Sequence, residues 1–145
     1  MGISLMETFK QNDEIIAEKV LQENEILAEK IMATLACCRQ DATRALREVL
    51  RFLFLVSRSD TGRLTPSHRV DLAWHEFILC TKAYREVCDE HFGRYIDHHP
   101  GGSRQRNRRQ YKDTLIRYLN AFGSPDRDFW SEYDLDANCG ACESI

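Results

Sequence analysis

The chain has 145 residues, of which 43% are hydrophobic and 30% charged, and carries a formal charge of -3 at neutral pH. That balance suits a soluble globular fold with a core of ordinary size, excludes a disordered chain, and gives no overall electrostatic drive toward nucleic acid. No apolar run nears the roughly 18 residues of a membrane span, and MGISLMETF lacks the basic-then-apolar pattern of a secretion signal; a cytoplasmic protein with reduced thiols, not bound to membrane, is expected.

The elements read as helices throughout. A first stretch from about Leu5 to Cys37 keeps one side apolar with Phe9, Ile16, Val20, Leu27, Ile31 and Leu35. The polar patch Gln22 to Glu25 interrupts it and marks a kink or two shorter helices. A second helix is expected from Asp41, as N-cap, to Ser57; its apolar residues cover every side, which places it at the centre of the fold. After the loop at Ser59 to Gly62, Thr65 as N-cap and Pro66 at the first helical position open a third helix. Val70, Ala73, Trp74, Phe77, Thr81, Tyr84 and Cys88 line one stripe of it, with Thr81 able to start a new helix and Gly93 as the stop. Pro100-Gly101-Gly102 forms a loop, Ser103 caps a helix from Arg104 to about Phe122, and Phe129, Trp130 and Tyr133 pin the following segment to the core. The expected fold is thus all-α, a compact bundle of four or five helices. One helical domain spans residues 1–133, and a short mobile cysteine-containing tail spans 134–145.

All five histidines fall between residues 64 and 102. On an ideal helix at 100° per residue, His68, Asp71 and His75 lie within about 60° of one another, beside the Trp74 stripe. Two imidazoles and a carboxylate suit zinc or a similar divalent ion. Asp71, His75, His98 and His99 are the candidate metal ligands, with His68 peripheral. The alternative is that Asp71 and His75 are structural hydrogen-bonding groups.

Gly101, Gly102, Ser103 and Arg104 form a candidate anion site, because glycines let backbone N–H groups approach a ligand and a helix start beyond them presents free donors. Residues 104–112 carry four arginines and one lysine against no acid, net +5, whereas residues 1–30 carry seven acids against three lysines, net -4. Nucleic acid remains an unfavoured partner, since Tyr111 is the one stacking group near the basic run. Cys139 and Cys142 form a lone CxxC, the spacing of half a zinc knuckle or of a redox pair.

Pro66, Asp71, the run Trp74-His75-Glu76-Phe77-Ile78-Leu79, Tyr84, Cys88, Phe92-Gly93-Arg94, Ile96 and His98-His99-Pro100 resemble the glycine-rich domain-containing protein-like family. The series Tyr111, Thr114, Leu115, Tyr118, Phe122, Gly123, Pro125 and Trp130 continues the likeness, which covers about residues 45–131. The resemblance implies an adaptor or signalling role and supplies no reaction or ligand.

Three functions are compatible with these residues. The first is binding of a divalent metal or small ligand through a His/Asp pocket. The second is a non-catalytic interaction module that meets a protein partner. The third is an enzyme acting on a phosphorylated or acidic small molecule at the Pro-Gly-Gly loop.

Overall fold

Ser4 starts the first helix: its hydroxyl accepts the N–H of Glu7 at 3.1 Å, satisfying one of the donors that a helix start leaves over. The computed structural model describes residues 4–59, 63–99 and 101–131. Helix α1 runs over Leu5–Glu23 and α2 over Glu25–Leu35. The break between them is Asn24, whose side-chain amide donates to the Val20 carbonyl at 2.8 Å and so competes with the backbone ladder. Helix α2 ends at Ala36, a non-glycine residue in the left-handed region at φ 51°.

Helix α3 spans Arg39–Arg58, one turn earlier than an Asp41 cap implies. Asp41 instead lies in its first turn and pairs with Arg44 at 2.9 Å. As expected from its all-round apolarity, α3 is central, packing against α1, α2, α4 and α6. Leu46, Val49, Leu50, Phe52 and Leu53 are fully buried along it, each contributing about 1.5–3 kcal/mol through removal from water.

Helix α4 covers His68–Leu79 and α5 covers Thr81–Val87, separated where the Cys80 N–H turns to the Phe77 carbonyl. The cap of α4 is Ser67, accepting from the Val70 N–H at 3.1 Å. Thr65, expected in that role, is buried and bonded elsewhere. A π-helical turn, Cys88–Phe92, extends α5 to Gly93, whose φ of 77° ends it. Helix α6 runs from Arg104 to Phe122, capped by Ser103 as expected.

The described residues therefore form six helices and no strand, rather than four or five helices. The expected count is low because two breaks, at Asn24 and Cys80, rest on local hydrogen bonds that leave the apolar stripe uninterrupted. No described helix is long and apolar enough to cross a membrane. Tyr133 and the expected mobile tail, with Cys139 and Cys142, lie outside the described residues.

A buried polar chain runs through the core. Asp13 on α1 accepts from Arg51 Nε at 2.7 Å and from Arg47 Nε at 3.1 Å. Arg51 donates to the Tyr118 hydroxyl at 2.9 Å, and that hydroxyl donates to Glu48 Oε1 at 2.5 Å. Trp130 Nε1 donates to the same oxygen at 2.8 Å. The chain ties α1, α3, α6 and the segment after α6 together, and each buried polar group in it has a partner.

Candidate functional site

Two loops and three helices, α3, α4 and α6, enclose one pocket. The residues 63–67 are held to α6 by Thr65, whose N–H donates to Thr114 Oγ1 at 3.1 Å and whose hydroxyl donates to Gln110 Oε1 at 2.8 Å. The segment after Gly93 is held to α4 by a second chain of bonds. Trp74 Nε1 donates to the Tyr84 hydroxyl at 3.0 Å, which donates to the Ile96 carbonyl at 2.6 Å. Burial pushes the Tyr84 phenol well above its ordinary range, so it stays a donor. With Ile96 anchored, His98 falls beside α4.

His98 Nε2 lies 2.6 Å from Asp71 Oδ1, and the imidazole packs over the Trp74 indole at 4.3 Å between ring centroids. The Asp71 side chain is 1% exposed and that of His98 is 9% exposed. The second carboxylate oxygen, Oδ2, is buried with no hydrogen-bond partner. An unsatisfied buried oxygen costs about 1–3 kcal/mol, so Asp71 is an expensive residue to hold there for packing alone.

The pocket has a volume of about 280 Å³. Phe52, Val56 and Trp74 form its apolar wall, and His98 and His99 line it from the 96–99 segment. Arg63, Arg106, Asn107 and Gln110 line it as well, together with Gly101 and Gly102. The two glycines take φ of 95° and 94°, a region that side chains strain to enter. A Cβ at Gly102 would also stand 3.0 Å from Asn107 Oδ1, while the amide of that buried asparagine donates to the Gly101 carbonyl at 3.3 Å.

The candidate metal ligands are thus placed unequally. Asp71 and His98 meet, and His99 is exposed on the pocket wall. His75 is partly exposed on α4 and is absent from the pocket lining, and His68 is exposed at the first turn of α4. Among the described residues no three His, Cys, Asp or Glu side chains gather into a group able to hold a metal ion. The five histidines that crowd the sequence do not form a cluster in space: His91, for instance, sits beside Glu90 and Phe92 on the π-helical turn, where burial pushes its pKa down.

Of the candidate anion residues, Gly101 and Gly102 line the pocket. Ser103 is committed to the Arg106 N–H as a helix cap, and neither it nor Arg104 is among the described lining residues. Sequence reasoning counted Arg106 among the arginines beside the candidate anion loop, and missed Arg63, Asn107 and Gln110 as lining residues. The signal for the last two was their spacing, since 103, 106, 107 and 110 share one face at the start of α6. Arg63 had no periodic signal, lying in a loop. Cys88 is buried and Cys80 half-buried, both with thiols pushed up by burial.

No curated protein and no solved structure matches the chain. The likeness to the glycine-rich domain-containing protein-like family is overturned, because the family model that matches is a different one. Trp74, Tyr84, Tyr118 and Trp130, which carried that likeness, are buried in the core and bonded there; their types and spacing record how these helices pack, which is a weaker marker of descent than a match along the chain. That match is to the UCP032817-like model over residues 11–124, and the chain belongs to the UCP032817-like family.

Proposed function

We propose that this protein binds a small organic molecule in the pocket between α3, α4, α6 and the two loops, with the Asp71–His98 pair as its polar anchor. The observation that supports this most is the pair itself. A carboxylate with one unpaired oxygen is held nearly out of water, and its one bonded partner among the described residues is a ring that forms part of a pocket wall. Apolar residues of similar volume would pack at least as stably. An apolar hollow with a few convergent polar groups is the usual form of a ligand site. At about 280 Å³ the hollow suits a small metabolite rather than a dinucleotide.

A fragment library screened against the isotopically labelled full chain by NMR tests this. Bound fragments are expected to shift the amides of residues 63–65, 97–99 and 101–110, and to lose affinity in Val56→Phe, which narrows the hollow from a half-buried position. Fragments that bind without moving those amides would refute the proposal, as would the absence of any hit at millimolar concentration.

A further inference from the structure

We infer that the pocket selects an anion: a small molecule bearing a carboxylate or a phosphate, held by His98 and the two arginines that line the same hollow. The inference rests on the small-molecule site proposed above and names the class of ligand it takes.

Charge comes first. Arg63 and Arg106 both line the pocket against one acid, the exposed Asp97. Among the described residues neither arginine enters an ion pair, in contrast to Arg39, Arg44, Arg47 and Arg51, which are all matched with carboxylates. Two guanidiniums facing a partly apolar hollow favour a planar carboxylate or a phosphate, which they can bind by paired N–H donors.

The histidine adds a sheltered polar group. Its Nε2 is engaged by Asp71 Oδ1, and the ring lines the pocket while Asp71 is not among the described lining residues, so the pair offers a ligand the imidazole rather than the acid.

Space comes last. Gly101 and Gly102 leave the backbone bare among the lining residues, and a Cβ on Gly102 would stand 3.0 Å from Asn107 Oδ1. At Gly101 an oxyanion can come closer to the chain than a residue with a side chain would allow.

The test titrates the labelled full chain separately with inorganic phosphate, acetate and neutral acetamide at constant ionic strength, reading backbone amides and the His98 ring signals. Saturable shifts confined to the pocket, with midpoints of roughly millimolar for such small probes, are expected for phosphate, acetate or both, and not for acetamide. Phosphate alone would identify a phosphate ester as the ligand class, and acetate alone a carboxylate. Arg63→Gln and Arg106→Gln, both at exposed positions, should each weaken binding by about threefold to fivefold, while Lys82→Gln on α5 should leave it unchanged. Equal binding of acetamide, unsaturable shifts spread along the exposed face of α6, or indifference to both arginine variants would overturn the inference. If neutral fragments occupy the pocket while neither anion does, the pocket survives and its anion selectivity falls; if nothing occupies it, both fall.

Discussion

Replacing His98 with leucine should be far more damaging than the loss of one half-buried side chain would imply. The substitution leaves the Asp71 carboxyl, 1% exposed, with both oxygens unpaired instead of one. Removing one partner of a buried pair costs about 3–5 kcal/mol, because the remaining group stays buried without compensation. For a chain of this size, with about 2–4 °C of melting temperature per kcal/mol, that is a drop on the order of 10 °C. Asp71→Leu should cost less, about 1–3 kcal/mol, since His98 Nε2 loses its hydrogen-bond partner while the ring still borders the pocket. The double variant Asp71→Leu/His98→Leu puts two apolar side chains against Trp74 and should recover most of the loss, coming within about 2 kcal/mol of the parent. Urea unfolding of the four proteins, followed by circular dichroism, closes the cycle. With a double-variant loss of about 2 kcal/mol, a coupling of about 2–6 kcal/mol is expected. Single losses that add to within about 0.5 kcal/mol, or an His98→Leu variant as stable as the parent, would refute the claim that these groups form one buried unit.

Other outcomes follow from the same structure. Asp13→Ala removes the shared acceptor of Arg47 and Arg51 and should destabilise the fold by about 3–5 kcal/mol in urea unfolding, because the Arg51 side chain is only 10% exposed and keeps just its bond to Tyr118. Ala36→Gly should stabilise by about 0.5–1 kcal/mol, since an L-residue at φ 51° carries strain that glycine lacks, partly offset by the greater freedom of glycine when unfolded. Stability should fall in base: burial raises the Cys88 thiol and the Tyr84 and Tyr118 phenols, the last helped by the Glu48 carboxylate. Raised folded values mean that the unfolded chain loses its protons first. The stabilisation is then complete below about pH 8.5 and declines as pH rises past the ordinary thiol and phenol range, which a urea midpoint measured at intervals from pH 7 to 11 will show. In the native protein a thiol reagent should label exposed Cys38 quickly and buried Cys88 only at the rate of unfolding, as peptide mapping with mass spectrometry can follow.

The parts of the fold that were legible in the amino-acid order are those decided within a few residues. Ser103 as a cap, Gly93 as a stop and the all-round apolarity of 46–55 act locally or through burial alone, and each appears where it was expected. The N-cap of α4 was misplaced by two residues because Ser67 and Thr65 are equally able to cap. What separates them is long-range: Thr65 has partners on α6, 45 and 49 positions away, that take it out of competition. The same division governs the site. Helical spacing relates residues 68, 71 and 75 to one another, and it rightly places Asp71 beside the Trp74 stripe. It says nothing about residue 98, which is 27 positions on.

What brings His98 to Asp71 is the Tyr84 hydroxyl, bridging Trp74 to the Ile96 carbonyl and so fixing the chain two residues before the histidine. That bridge also explains why the metal quartet does not assemble. Anchored at Ile96, the segment has one side chain free to turn inward at 98, and the next, His99, is carried to the exposed pocket edge. A tetrahedral site needs its donors to converge on one point, whereas this backbone directs successive histidines to different depths of the same hollow. The resulting arrangement is one sheltered imidazole, one exposed imidazole, and two arginines lining the same hollow. It does not gather donors round a metal ion, and it accords with the anion site proposed above. The chemistry of the pocket is therefore set by a tyrosine that does not line it, and Tyr84→Phe should release the 96–99 segment and weaken anion binding even though no group lining the pocket has been changed.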